Sequence, residues 1–315
     1  MIPDATHASP PNNGHPHVAA YPRATQPPHD SSARRPRVAL VLGSGGVRSI
    51  AAVGIVERLA AEGIRPDLVV GCSSGALFGA TIAMGMPADK ALQAATTLWS
   101  AELTQQPRWR SYPQIVAPKL AGFDADFALR DNSLIAARLE SAFGGLRLEA
   151  LRTPLRVAAT DASTGEAVVL TQGLVTQALL ASMAVPFIFP SVEVDGRRLV
   201  DGVISDPLPV DAARDADVVI ALGFEGAMPR RVDRVSRLAA QATTSLINNL
   251  MRARLDAARA RGQRIVNLEL GLDRKVGLWE TQALPYLFEA GRRAAALQLP
   301  RILHMLEGPV QREAA

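Results

Sequence analysis

Three groups of residues in this chain could do chemistry together. Gly71-Cys72-Ser73-Ser74-Gly75 has the G-x-S-x-G pattern of a serine held on a sharp turn. The apolar run Leu68-Val69-Val70 precedes it and the apolar stretch Ala76 to Met84 follows it, so strand, turn and helix come in the order that exposes such a serine. The following helix would aim its N-terminal amides at the same spot. A structural turn is the alternative reading of the pentapeptide. A serine nucleophile needs a base and a set of donors for an oxyanion. Histidine is scarce, because four of the five lie in the first 36 residues and only His304 remains. A Ser73, Asp201, His304 triad would match the chain order of one hydrolase class, but His304 sits in a helical pattern near the end and the serine turn comes early in the chain. A carboxylate is the better candidate. Asp201-Gly202 follows the apolar segment Arg198-Leu199-Val200, which places the acid at a strand end, although a plain turn would read the same way. Gly43-Ser44-Gly45-Gly46-Val47-Arg48 is the third group. Its glycines let backbone amides converge on an anion in front of the next helix. Arg48 stands where a dinucleotide loop would need glycine, and no Walker lysine follows, so a phosphate cradle is second to an oxyanion hole.

These residues need a scaffold. Arg37–Leu42, Asp67–Gly71, Leu155–Ala159, Ala167–Leu170, Val218–Leu222 and Ile265–Leu270 read as strands. Ser49–Ala61, the stretch after Ser73, the segment opened by Pro87, a segment capped by Asn132 or Ser133 and running to Phe143, Val175–Met183 and Leu284–Met305 read as helices. Asp195-Gly196 between Val192–Val194 and Arg198–Val200 is a hairpin signal. Strands that alternate with helices predict an α/β fold, with a mostly parallel central sheet and helices on both faces. Residues 99–127 look irregular and hold five of the fourteen aromatic residues.

The remaining composition narrows the class. The chain has 315 residues, 48% hydrophobic and 20% charged, with one cysteine, Cys72. A single cysteine allows no intrachain disulfide and suggests a reducing, cytoplasmic setting. Cys72, just before the apex of the turn, reads as a buried small hydrophobe. Residues 1–36, with eight prolines and four irregularly spaced histidines, read as a disordered leader. One domain over about 37–310 and a short tail at 311–315 complete the expected organisation. Val69 to Met86 is uncharged and long, yet its glycines and serines point to a buried strand and helix rather than a membrane span. Between Arg230 and Arg264 stand nine arginines and two aspartates, a balance of +7 against +4 for the whole chain. A solvated basic face is the plain reading and attraction to anionic headgroups the functional one. Nucleic acid is not expected, since aromatics for base stacking are missing there.

The ordered set of motifs resembles the patatin-like phospholipase family, in its compact bacterial branch. The residues that carry the likeness are Gly43 to Arg48, Gly71 to Gly75 and Asp201-Gly202. Ala159-Thr160-Asp161 with Thr164-Gly165, Ala181 to Pro186 with Phe189-Pro190, and Pro207 to Val210 agree as well. The likeness covers about residues 37 to 300. It implies a patatin-like three-layer sandwich and a Ser–Asp dyad that hydrolyses acyl esters of lipids through an acyl-enzyme. Ser73 would be the nucleophile and Asp201 its base. The loop Gly45, Gly46, Val47 and Arg48 would form the oxyanion hole, with amides around Gly45 and Gly46 as donors and Arg48 steadying them. No metal or organic cofactor is implied; a lipid or phospholipid substrate and peripheral contact with the membrane are. Two positions depart from the family pattern: Ser49 replaces a glycine, and Val203 stands where glycine or alanine is usual. They motivate a second reading, a catalytically weak or inactive scaffold that binds lipid or a protein partner.

Overall fold

The computed structural model describes residues 35–229 and 231–307. Most of the expected leader and all of the expected tail lie outside these residues. In chain order the elements are β1 (Val38–Leu42), α1 (Ala51–Ala60), β2 (Leu68–Cys72), α2 (Ser74–Ala83), α3 (Ala88–Leu98), α4 (Ser111–Val116), α5 (Ser133–Phe143), β3 (Leu155–Asp161), β4 (Ala167–Leu170), α6 (Val175–Ser182), β5 (Val192–Val194), β6 (Arg197–Asp201), β7 (Val218–Leu222), α7 (Val235–Ala260), β8 (Ile265–Leu268) and α8 (Leu284–Glu307). A 3-10 turn over Gly46–Ile50 leads into α1. The stretch expected to be irregular contains α4. Asn132, one of the two expected residues, is the N-cap of α5, but the side-chain acceptor there is Asp131, whose Oδ1 takes the Ser133 N–H at 2.7 Å; hydrogen bonds from Ser133 hold the Asp131 carboxyl below its usual range.

The eight strands form one sheet in the order β5-β6-β3-β2-β1-β7-β8, with β4 paired to β3 off that path. The pairs β1–β2, β1–β7, β2–β3 and β7–β8 are parallel. β4, β5 and β6 add antiparallel pairs at one end. Asp195 and Gly196, both at positive φ, make the tight turn of the β5–β6 hairpin.

Alternation along each strand divides the core. Val38, Leu40 and Leu42 of β1, with Ile220 and Leu222 of β7, face a large layer that includes Ile55 of α1, Leu77 of α2, Leu139 of α5 and Leu287 of α8. Ala39 and Val41, with Val219 and Ala221, face a smaller layer built on Met251, Leu255 and Ala258 of α7. The sheet is therefore covered on both faces, which is why its central strands read as unbroken apolar runs. This is the mostly parallel α/β sandwich expected from the sequence. α1 and α8 cross in close contact through reciprocal glycines. A methyl group at Gly54 would lie 2.1 Å from the Phe288 carbonyl oxygen, and one at Gly291 would lie 2.0 Å from that of Ala51.

Candidate active site

β3 acts as a splint between the serine and the acid. β2 lies along one edge of β3 as far as the pair Cys72–Ala158. β4 occupies the opposite edge, pairing Val169 with Ala158 and Val168 with Ala159. β6 then joins β3 where β2 stops, with Asp201 paired to Ala159. The last residue of β2 and the last residue of β6 thus face consecutive positions of one strand. Ser73 follows the first directly, so register alone brings residues 73 and 201 together.

Ser73 sits at the apex of the turn with φ 55° and ψ −124°. A side-chain-bearing residue at positive φ is strained, and surrounding structure must hold it there. Its N–H donates to Ser182 Oγ at 2.8 Å. Ser182 in turn donates to the Ala158 carbonyl at 2.6 Å, which ties the apex to β3. The Ser73 carbonyl accepts the Ala76 amide at 2.9 Å and so opens α2. The flanking glycines have steric reasons. A Cβ at Gly71 would meet the Ala76 backbone at 2.4 Å, and one at Gly75 would meet the Leu42 carbonyl oxygen at 2.4 Å. Cys72 is fully buried, as expected of a small apolar filler, and burial, then the nearby Asp201 and Asp206, pushes its thiol well up.

Asp201 is buried, at 1% exposure. Its backbone is fixed at both ends: its N–H donates to the Ala184 carbonyl at 2.9 Å, and its carbonyl accepts the Thr160 hydroxyl at 2.9 Å. Carboxylate Oδ1 accepts the Val203 amide at 2.9 Å and the Cys72 thiol at 3.8 Å. Oδ2 is buried and accepts no hydrogen bond of full geometry. Burial pushes this acid up to about 7, against smaller opposing effects of the Val203 amide, the Ser73 hydroxyl and the Cys72 thiol. The serine and the acid therefore stand as neighbours, with no hydrogen bond of full geometry joining them. His304 lies exposed in the last turn of α8 and gives nothing to Asp201.

Gly202 sets how closely this acid can approach. A Cβ there would lie 2.7 Å from the Ala158 carbonyl oxygen and 3.1 Å from Cys72 Sγ. Gly202→Ala is expected to cost about 1–3 kcal/mol in stability and to displace Asp201 from the serine. Thermal unfolding and ester hydrolysis measured on the same sample check this, and the expected result is a larger loss of activity than the fraction unfolded explains.

The glycine loop lies against both neighbours. The Gly45 amide donates to Ser74 Oγ at 3.0 Å, and Ser74 Oγ lies 3.0 Å from Ser49 Oγ. Ser49, one of the two departures from the family pattern, is thus buried and bonded into the loop. The Val47 amide donates to the Leu278 carbonyl at 2.9 Å. That carbonyl also takes the Trp99 indole N–H at 2.8 Å, beside the stacked pair Trp99–Trp279. Among the described residues the Gly46 amide donates to no acceptor. Arg48 Nε donates to the Gly45 carbonyl at 3.1 Å, and the guanidinium lies 5.0 Å from the centre of the Phe224 ring. Burial lowers its pKa.

Sequence reasoning missed several residues. Ser182 and Thr160 lay in stretches that carried the family likeness, but no role was read for them. Asp206 is a second buried acid, 2% exposed, whose N–H closes the turn onto the Gly202 carbonyl at 2.8 Å. Burial pushes it to about 7, opposed by Arg254. Arg254, on α7, donates to the Ser205 carbonyl at 3.0 Å, and Ser205 Oγ lies 2.8 Å from Thr160 Oγ1. The arginine-rich segment is α7 with its flanks. Arg237 pairs with Asp233, Arg252 with Glu225 and Arg261 with Asp211, so much of its charge serves the protein's own acids. Among the described residues no three or more His, Cys, Asp or Glu converge as a metal site.

A parallel α/β sandwich with a strained serine between strand and helix, an adjoining buried acid and a glycine loop is a family-level architecture. The model of the patatin-like phospholipase family matches residues 40–214, and the chain belongs to that family. It is 35% identical over 193 residues to an uncharacterised NTE family protein of Mycobacterium bovis, covering 61% of this chain and 50% of that one. It is 30% identical over 221 residues to patatin-like phospholipase domain-containing protein 7 of Rattus norvegicus, covering 65% of this chain and 15% of that one. The chain therefore spans half or less of the length of these two relatives. Among solved structures, VipD from Legionella pneumophila aligns with a TM-score of 0.43 and 15% identity over 86% of this chain and 68% of that one.

Proposed function

We propose that this chain is a serine lipid acyl hydrolase, a phospholipase A-like carboxylic ester hydrolase working through a Ser73–Asp201 dyad. The observation that carries the reading is the strained Ser73 beside a buried carboxyl group with one oxygen unbonded and a pKa raised to about 7. A raised pKa makes this carboxylate a stronger base than an ordinary aspartate. In the first step Asp201 takes the Ser73 hydroxyl proton as Oγ attacks the ester carbonyl, and the carbonyl π electrons move to oxygen. The glycine loop receives that oxyanion through the Gly46 amide, which donates to no acceptor among the described residues, whereas the expected Gly45 donor is held by Ser74 Oγ and the Val47 amide by the Leu278 carbonyl. Arg48 holds the Gly45 carbonyl and so steadies the loop. Collapse expels the alcohol, which takes the proton from Asp201 and leaves Ser73 acylated. Water then attacks the acyl-enzyme while Asp201 again accepts the proton, and as the adduct collapses Ser73 Oγ takes that proton back from Asp201 and the fatty acid leaves. Nucleophile, base and donors all belong to the chain, so the scheme calls for no cofactor.

The substrates in this reading are acyl esters of lipids or phospholipids, reached by peripheral contact with a membrane from the cytoplasm. The working unit would be about residues 37–310. Among the described residues no helix is long and apolar enough to cross a membrane. Val203 keeps its amide on Asp201 Oδ1, so its bulk leaves that contact in place.

A fluorophosphonate probe tests the proposal. The wild-type chain should take one label, mapped to Ser73 by mass spectrometry, and Ser73→Ala should take none. Folded protein that ignores several such probes would instead favour the binding scaffold.

A further inference from the structure

The segment 109–123 exposes an unusual amount of apolar surface. Trp109 is 74% exposed, Val116 86% and Leu120 92%, and Tyr112 and Phe123 are exposed beside them. The Trp109 and Tyr112 rings lie 5.5 Å apart. The same fifteen positions hold Arg110 and Lys119, and the exposed Asp124 and Asp126 lie just beyond them. Phe187 extends this surface: it is 71% exposed, and as a non-glycine residue at φ 66° it is held outward by a strained backbone.

Backbone hydrogen bonds link the flank of this segment towards Asp201, beginning with the Arg108 N–H, which donates to the Leu129 carbonyl at 3.1 Å. Leu129 N–H donates to the Phe187 carbonyl at 2.9 Å and Arg130 N–H to that of Ile188 at 2.8 Å. Three residues before Phe187, the Ala184 carbonyl accepts the Asp201 N–H at 2.9 Å. Chain connectivity and these hydrogen bonds thus lead from the apolar segment to Asp201. Exposed apolar patches of this kind mark interaction surfaces. Aromatic and aliphatic side chains interspersed with Arg110 and Lys119 fit the headgroup layer of an anionic bilayer, where rings sink to the acyl boundary and Arg and Lys stay at phosphate depth.

We propose that residues 109–123, with Phe187, form a docking face for an anionic lipid bilayer. The proposal rests on the lipid-ester reading of the site, which gives a reason for a surface that docks on a bilayer. Its test is independent of turnover. The full chain carrying Ser73→Ala is sedimented with phosphatidylcholine vesicles and with vesicles containing phosphatidylglycerol. The anionic vesicles should retain more protein, and adding Trp109→Ser and Leu120→Ser should reduce that partition by about tenfold or more. In a Ser73 background the two surface substitutions should leave hydrolysis of a short soluble ester unchanged. Indifference to both vesicle types, equal binding to both, or undiminished binding of the substituted chain would each overturn the docking face. So would a dimer, seen by light scattering, that dissociates on these substitutions without any vesicle binding. Failure of the lipid-ester reading would show separately, as an unlabelled Ser73.

Discussion

Ser73→Ala should lower kcat/KM for a short soluble acyl ester by at least about 10³-fold, with the circular dichroism spectrum and melting temperature little changed. The size follows from removing a nucleophile whose attack the scheme requires, with any residue of activity left to the oxyanion donors. Asp201→Asn keeps the shape and the hydrogen bond from Val203 but cannot take a proton, and should cost about 10²–10⁴-fold. His304→Ala should cost nothing. The pH profile carries further information. Asp201 is raised to about 7, so the base form is scarce below that pH. Wild-type kcat/KM should rise from pH 5, reach half its limit near 7 and level above it, with roughly a tenth of the limit left at pH 6. A flat profile from pH 5 to 8 would remove Asp201 from the role of base. Full activity in Ser73→Ala would remove the site altogether.

The sequence carried more of the fold than of the site's wiring. β1 and β7 were legible because a strand buried on both faces must be apolar at every position, and Val38–Leu42 and Val218–Leu222 are. The β5–β6 hairpin was legible from Asp195-Gly196, since few other pairs tolerate two successive positive φ values. The docking of that hairpin onto β3, beyond the end of β2, was not legible. No local pattern specifies which edge an antiparallel pair joins, yet this junction is what sets Asp201 beside Ser73. Ser73 itself could be picked out from its strand-turn-helix setting, while Asp201 needed the family likeness to rise above a plain turn. The hydroxyls of Ser182 and Thr160 gave no signal, because a serine or threonine in an apolar stretch looks the same whether it bonds its own helix or reaches across to another element. The Leu278 carbonyl on the Val47 amide comes from a distant loop, and backbone acceptors have no sequence signature. The arginine-rich segment shows the same limit: a count of charges does not reveal that Asp211, Asp233 and Glu225 answer several of them.

Asp201→Asn is also expected to stabilise the protein at alkaline pH. The folded-state pKa is raised to about 7 from an ordinary 3.8. Between these values the native chain holds a proton that the unfolded chain has lost, so stability falls as pH climbs through this window. Below about pH 4 both states are protonated and the difference vanishes. Above about pH 7 the folded protein carries a buried carboxylate at full cost, on the order of 4 kcal/mol from a shift of this size. An asparagine is neutral throughout and avoids the cost. The melting temperature of Asp201→Asn should therefore exceed that of wild type by roughly 5–10 °C at pH 8, and the gap should close near pH 4. Asp206, raised to a similar value, titrates in the same window but is shared by both proteins and cancels in the difference. A gap that stayed constant with pH would mean that packing, not charge burial, separates the two. A gap that widened toward acid would reverse the assigned shift. The expected pattern, a gain in stability at the pH where activity is lost, is that of a group kept buried for chemistry at the expense of the fold.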